Sequence, residues 1–162
     1  LSKILSPGVR LGYAQAHEDV IARMTALKQA GDVHSNLFFQ AVAAEYFARY
    51  DLDAHIAAST ALYKEKRDRM LSLLEKNLPE GVTFSRPEGG LFVWLQLPEG
   101  LDGSALAARC AQNKVAVVPG AAFLADGTQV SAGVRLNYST PSHGQIDEGV
   151  EILARCVREI MG

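Results

Sequence analysis

A lysine and an arginine near the start of the chain have the types and the spacing for cofactor chemistry. Lys3 and Arg10 flank the pair Pro7-Gly8, which is typical of a turn. Such a turn can bring the two cations into one pocket, where their repulsion favours an anionic group between them. The planar fork of an arginine suits a phosphate, and a lysine beside another cation suits Schiff-base formation with a carbonyl group. Pyridoxal phosphate (PLP) meets both requirements, because it carries an aldehyde and a phosphate.

Another arginine lies in a segment whose residues alternate as in a β-strand. Across residues 133–139, Val134, Leu136 and Tyr138 share one face and Arg135 lies on the other. Arg135 is therefore expected to point away from the apolar side, toward a polar groove. The residues alone leave two interpretations open, a ligand-binding arginine and a surface arginine on an edge strand.

The remaining residues capable of chemistry show no spacing typical of a catalytic or metal site. The histidines are far apart, so they are expected to be structural or exposed, and no metal is expected. Cys110 and Cys156 match no metal-binding or redox motif. Two such isolated cysteines are typical of reduced thiols in the cytoplasm.

The composition is that of a globular chain. Of the 162 residues, 48% are hydrophobic and 21% are charged, and the formal net charge is -2. These values exclude a disordered chain, the apolar runs are too short for a membrane span, and the scattered basic residues argue against nucleic-acid binding. One short basic cluster comprises Lys64, Lys66, Arg67 and Arg69. It is interpreted as the solvated face of a helix, on which Glu65 and Arg69 form an i,i+4 pair.

The hydrophobic periodicity predicts an α/β chain in two lobes that divide at residue 79. Helices are predicted over residues 18–29, 37–50, 52–78, 104–113 and 143–161. Strands are predicted over residues 9–16, 83–85, 90–97, 115–118 and 133–139. The strand over 90–97 is apolar on both faces, so Phe92 and Trp94 are expected in the core. Ser35 or Asn36 is expected to cap the second helix.

Four motifs resemble those of one enzyme family and occur in the order that the family shows. They are S-K-x-x-x-P-G-x-R-x-G-Y at residues 2–13, P-E-G-G-L-F-V-W at 87–94, V-P-G-A-A-F at 118–123 and V-R-L-N-Y-S at 134–139. The set resembles the fold-type I, PLP-dependent aminotransferases of class I and II, particularly the branch with the 2-aminoadipate and kynurenine aminotransferases. The motifs are specific to this superfamily and not to one substrate.

The resemblance implies a role for each matching residue. Lys3 is expected to form the aldimine with PLP and to move the proton during the reaction. Arg10 is expected to bind the cofactor phosphate, and Ser2 is a weaker candidate for the same role. Arg135 is expected to bind the α-carboxylate of the substrate. In some relatives the loop at residues 35–36 reaches the phosphate of a neighbouring subunit, although helix capping is favoured here.

The resemblance also implies that the chain is the C-terminal part of a longer enzyme. Residues 1–50 are expected to be a remnant of the large cofactor-binding domain and residues 51–78 the inter-domain helix. Residues 79–162 are expected to form the small domain, with a short, mainly antiparallel sheet and flanking helices. Other cofactor-binding groups precede the lysine motif in relatives, so the isolated chain is expected to be inactive. The full-length enzyme is expected to be a cytoplasmic homodimer that transfers an amino group between an amino acid and a 2-oxo acid.

Two other functions on the same fold stay open at the level of sequence. One is a PLP-dependent lyase or synthase, which uses the same lysine and arginine. The other is the PLP-binding sensor domain of a transcription regulator, in which the fold follows a winged helix-turn-helix. The near-neutral charge fits either function, because a DNA-binding segment would lie upstream of this chain.

Overall fold

The computed structural model describes residues 1–126 and 129–162. These residues form two compact units, Leu1–Thr60 and Ala61–Gly162, and the division falls inside one long helix. The division differs from the domain bounds expected at residues 50 and 78. The lobe boundary that the sequence pattern places at residue 79 and the domain bounds that the resemblance implies stay predictions.

The first unit is built from helices. Helix α1 spans Glu18–Gly31, α2 spans Leu37–Arg49, and α3, Leu52–Asn77, begins in this unit. Asn36 caps α2, because its side-chain oxygen accepts a hydrogen bond from the backbone N–H of Phe39 at 3.3 Å. The first three predicted helices are therefore confirmed, and the expected cap is Asn36.

Residues 9–16 form no strand, so the strand predicted there is wrong. A strand needs a partner for its backbone hydrogen bonds, and residues 1–60 contain no other strand. The segment instead follows a closed turn, in which the Leu1 nitrogen donates to the Leu11 carbonyl at 2.8 Å.

The first unit buries little apolar surface. Leu11 and Ala43 are its buried hydrophobic residues, and α1 buries none of its residues. The large apolar residues that it exposes are Ile4, Tyr13, Val20, Met24, Leu27, Val33, Leu37, Phe38, Val42, Phe47 and Tyr50. The amphipathic pattern that predicts these helices therefore corresponds to no packed core within this unit.

The second unit contains a four-stranded antiparallel sheet. Its strands are β1 (Thr83–Phe84), β2 (Phe92–Gln96), β3 (Val118–Pro119) and β4 (Gly133–Asn137). Their order across the sheet is β1-β2-β4-β3, and every neighbouring pair is antiparallel. The expected α/β fold with a short, mainly antiparallel sheet is therefore confirmed.

Helices cover one face of this sheet and form the core with it. They are α4 (Gly103–Gln112), α5 (His143–Met161) and the C-terminal part of α3. The core residues are Met70, Leu74, Val93, Leu95, Leu97, Leu106, Cys110, Val134, Leu136, Tyr138, Ile146, Val150, Leu153, Cys156 and Val157. Along β4, Val134, Leu136 and Tyr138 lie in the core, which confirms the predicted alternation.

Strand β2 is buried on one face only, contrary to the expectation from its apolar sequence. Val93 and Leu95 are buried in the core, whereas Phe92 and Trp94 are half-buried on the opposite face. The core helices pack against the Val93 side of the sheet, so a continuous apolar run does not place both faces in this core.

The strand predicted over residues 115–118 is shorter than expected. Strand β3 contains only Val118 and Pro119. The Val115 N–H donates to the Cys110 carbonyl at 2.9 Å, so the start of the segment is bound to the end of α4 and not to the sheet.

The predicted pair between Glu65 and Arg69 is wrong. Arg69 donates from two guanidinium nitrogens to both carboxylate oxygens of Asp147 on α5, at 2.6 Å each, and Glu65 lies 3.4 Å from His143. The i,i+4 rule considers one helix alone, and here a second helix offers α3 better partners.

In the part of the chain that the structure describes, no helix has the length and apolar character to cross a membrane.

Candidate functional site

The loop that carries Lys3 and Arg10 closes on itself within the first unit. The Leu5 N–H donates to the Leu1 carbonyl at 2.9 Å, and the Leu1 nitrogen donates to the Leu11 carbonyl. Leu11 is buried, which fixes the end of the loop. The loop therefore has a defined shape, and it leaves the side chains of Lys3 and Arg10 exposed.

This loop brings Arg10 next to Ser2. Arg10 Nη1 lies 3.4 Å from Ser2 Oγ and 3.2 Å from the Pro7 carbonyl oxygen, to both of which it donates. The backbone of Arg10 has a φ of 53°, a left-handed conformation that costs free energy for a residue other than glycine. Lys3 follows Ser2 in the chain and its side chain is exposed.

The donors of this loop fit the phosphate and aldehyde of PLP. The guanidinium group, the Ser2 hydroxyl and the Lys3 ammonium are all hydrogen-bond donors, and residues 1–17 include no Asp or Glu to neutralise them. A phosphate offers acceptor oxygens to these donors, and its negative charge balances the two cations of the loop. The roles of Ser2, Lys3 and Arg10 stay predictions.

Arg135 lies in the middle of β4 within the second unit. It is paired with Trp94 of β2 on one side and with Val118 of β3 on the other, so β4 is an interior strand. The interpretation of Arg135 as a surface arginine on an edge strand is therefore wrong. Its side chain is half-buried on the face opposite the core.

Aromatic rings surround the Arg135 guanidinium. Its central carbon lies 4.0 Å from the ring centroid of Phe92 and 4.8 Å from that of Phe123. Trp94 packs edge-on against Phe123 with centroids 5.8 Å apart. Among the described residues, 1–126 and 129–162, no carboxylate forms an ion pair with Arg135. Cation–π contacts use the faces of the guanidinium, so its N–H edge can still bind a carboxylate.

Gly133 is needed for the position of Trp94. A Cβ atom at Gly133 would overlap the indole ring, which lies across the glycine backbone from the neighbouring strand. The absence of a side chain at Gly133 therefore leaves room for the indole against β4.

Sequence reasoning missed the aromatic partners of Arg135. The apolar sequence of β2 predicts a core position for Phe92 and Trp94, and the sequence gives Phe123 no role beyond the end of its motif. The two-residue spacing of Phe92 and Trp94 places both on one face of β2, and this spacing is the signal that could have identified them.

Other candidate residues have structural roles in the described chain. Asn36 caps α2, and the Ser35 carbonyl accepts a hydrogen bond from Gln40 Nε2 at 2.8 Å. Cys110 and Cys156 are buried free thiols. Burial and the neighbouring Cys156 raise the pKa of the Cys110 thiol to about 12. Within the described ranges, no three His, Cys, Asp or Glu residues are grouped to hold a metal ion.

Comparison with known proteins identifies one family over nearly the whole chain. Residues 1–153 match the family described as aminotransferase class I and II. An aromatic-amino-acid aminotransferase 1 of Thermococcus litoralis is 40% identical over 160 residues, which are 99% of this chain and 38% of that protein. A 2-aminoadipate transaminase of Thermus thermophilus is 34% identical over 99% of this chain and 40% of its own length. The chain thus spans about two fifths of these relatives.

Solved structures of similar proteins have the same fold. The crystal structure of a kynurenine aminotransferase of Pyrococcus horikoshii, in complex with PMP, matches with a TM-score of 0.92 and 39% identity. The match covers 99% of this chain and 40% of that chain. A regulator also matches: the HTH-type transcriptional regulator YdfD of Bacillus subtilis is 29% identical over 99% of this chain and 33% of the regulator.

Proposed function

We propose, since the chain belongs to the aminotransferase class I and II family, that it is the C-terminal part of a PLP-dependent aminotransferase. The reaction is the transfer of an amino group between an amino acid and a 2-oxo acid. The observation that carries the proposal is Arg135, a cation on an interior strand that contacts two aromatic rings and forms no ion pair with a carboxylate among the described residues.

Arg135 would bind the α-carboxylate that the amino acid and the 2-oxo acid share. A guanidinium group and a carboxylate form two parallel hydrogen bonds, which fix the orientation of the bound acid as well as its position. Phe92 supports one face of the guanidinium and so limits its rotation. One binding group therefore serves both substrates.

The loop of residues 1–11 would hold the cofactor. Arg10 and Ser2 would bind its phosphate, since their donor groups lie together at one point of the loop. When bound, PLP supplies an aldehyde that exchanges with the substrate amino group and a ring that withdraws electrons from the substrate Cα. Lys3 Nζ would bind the cofactor at rest and, as a free amine, take the proton from Cα.

The isolated chain is expected to be inactive. It spans about two fifths of its relatives, and the helices of its first unit expose most of their large apolar residues. Substrates and cofactor would require the full-length protein, meaning this chain with every residue that precedes or follows it in its gene. We further propose that this protein is a cytoplasmic homodimer, and that this chain itself binds neither nucleic acid nor membrane.

An assay of the full-length protein tests the proposed function. With PLP, an amino acid donor and 2-oxoglutarate, the wild type is expected to form a new oxo acid and glutamate, and Lys3→Ala is expected to abolish turnover. Lys28→Ala is the matched control, because Lys28 is an exposed lysine whose ammonium pairs only with Asp32 among the described residues, at 2.9 Å. Equal activity in wild type and Lys3→Ala would contradict the proposal.

A transcription regulator is the second candidate, supported by the similarity to the HTH-type protein of Bacillus subtilis. In that case PLP would bind to the full-length protein without sustained amino transfer. The same assay distinguishes the candidates, because a regulator gives a PLP absorption band and no accumulation of glutamate. A lyase or synthase would instead release an eliminated or replaced fragment of the substrate.

A further inference from the structure

Side chains from two other elements bind the turn that precedes β2. The turn comprises residues 87–90. Arg67 Nη1 donates to the carbonyl oxygens of Pro87 at 3.2 Å and Glu88 at 3.0 Å. The Tyr138 hydroxyl lies 2.8 Å from the Gly90 carbonyl oxygen and 3.4 Å from that of Gly89. Four consecutive carbonyls are thus in hydrogen-bond range of two side chains, and the turn cannot shift without losing these bonds.

Arg67 is oriented for this contact. Its Nε and Nη2 donate to Asp68 Oδ1 at 2.8 and 2.6 Å, so Nη1 is directed to the turn. The Arg67 side chain is only 17% exposed, although the sequence places it in a basic cluster predicted to be solvated. The Arg67 guanidinium therefore binds the turn at residues 87–90 and is not part of a solvated face.

Tyr138 holds the other half of the turn from the end of β4. Its side chain is 1% exposed, and burial raises its pKa, so that the hydroxyl stays protonated and can donate. Its backbone N–H also donates to the Leu91 carbonyl at 3.2 Å. The strand that carries Arg135 thus carries one of the two residues that hold the turn.

The turn leads directly to the ring beneath Arg135. Gly90 has a φ of +85°, which turns the chain into β2, and Phe92 is the first residue of that strand. Phe92 is paired with Asn137 of β4, so its ring reaches Arg135 diagonally across the sheet. The position of Phe92 therefore depends on where the turn holds the start of β2.

We propose that Arg67 and Tyr138 are positioning residues for carboxylate binding. By fixing the carbonyls of residues 87–90, they fix Phe92 and through it the plane of the Arg135 guanidinium. They would touch neither substrate nor cofactor. The inference rests on the proposed function for the identity of the bound group, an α-carboxylate.

The geometry can be tested in this chain without any enzyme activity. Protons of the Arg135 side chain, which lies over the Phe92 ring, are expected to have upfield-shifted NMR signals. In Arg67→Met and in Tyr138→Phe this upfield shift is expected to be largely lost. In Arg67→Lys the shift is expected to be intermediate between the wild-type value and the values of these two variants. Arg69→Met is the matched control, because Arg69 lies on the same helix and pairs with Asp147 instead of the turn. Tyr138→Phe decides the question if Arg67→Met does not fold. Retention of the shift in folded Tyr138→Phe, or its equal loss in Arg69→Met, would overturn the proposal.

Kinetics of the full-length protein test the consequence for binding. Arg67→Met and Tyr138→Phe are expected to raise KM about tenfold for both the amino acid and the 2-oxo acid, while kcat changes by less than about threefold. Arg69→Met is expected to leave both KM values unchanged. A loss of kcat at constant KM, or a KM increase for one substrate only, would overturn the positioning role. If the wild type shows no amino transfer, the proposed function fails, and the NMR result still decides whether the two residues position Arg135.

Discussion

The two units of this chain differ in how they hold their candidate residues. In the second unit, Arg135 lies on an interior strand whose other face is packed against a helical core. In the first unit, Lys3 and Arg10 lie on an exposed loop, and the helices that follow bury almost none of their apolar residues. The residues that support Arg135 therefore lie within its own unit, whereas the proposed cofactor site is expected to need protein from outside this chain.

The largest expected effect is on the stability of the two units. Leu74 is fully buried in the core of the second unit, so Leu74→Ala should lower the free energy of unfolding by about 2–5 kcal/mol. Leu27 is 74% exposed on α1, and Leu27→Ala should change it by less than about 0.5 kcal/mol. Urea unfolding followed by circular dichroism measures both. Equal destabilisation would contradict the difference between the units.

A smaller effect is expected from the contact between Gly133 and the indole of Trp94. Gly133→Ala forces the ring away and should cost about 1–3 kcal/mol of stability, with a changed fluorescence of Trp94, the one tryptophan in the chain. Gly149→Ala is the matched control, because a Cβ there meets no atom within 4 Å. Within α5 that change should stabilise by about 0.5–1 kcal/mol. Unchanged emission in Gly133→Ala would show that Trp94 does not lie on this glycine.

At neutral pH the smallest effect concerns the buried thiols of the second unit, because the Cys110 thiol titrates only at alkaline pH. The pKa of Cys110 is raised from 9.0 to about 12, so the folded chain keeps a proton that the unfolded chain loses between those pH values. Stability is therefore expected to fall as pH rises from 9.0 toward 12 and to be insensitive to this group at lower pH.

Labelling with a thiol reagent measures this protection directly. At pH 8 both cysteines should react slowly in the folded chain and rapidly in denaturant, because burial keeps the reagent away from both thiols. Cys110→Ser is expected to remove the fall in stability between pH 9.0 and 12. Fast labelling of the folded chain would contradict the burial of these thiols.

The extent to which the sequence predicts this structure varies with how local the determining interactions are. Helix α5 is found within the predicted bounds, because its apolar stripe is regular and Ser142 and Gln145 form a capping box at its start. The alternation along β4 likewise predicts that Arg135 leaves the core. The bounds of α5 and the orientation of Arg135 each depend on residues within a few positions of each other in the sequence.

The errors arise where a partner distant in sequence decides the outcome. Residues 9–16 alternate like a strand but have no strand to pair with in their unit. Arg69 has Glu65 at i+4 spacing, yet it binds Asp147, which follows 78 residues later. Phe92 has the apolar character of a core residue and supports Arg135 instead, since the helices cover the other face of its strand.

The central claim is that Arg135 binds the α-carboxylate of both substrates. The most direct measurement is KM for the amino acid and for the 2-oxo acid in the full-length protein, for wild type and Arg135→Lys. Loss of the bidentate fork should raise both KM values by about 100-fold, with the PLP absorption band unchanged. Unchanged KM for either substrate would contradict the claim.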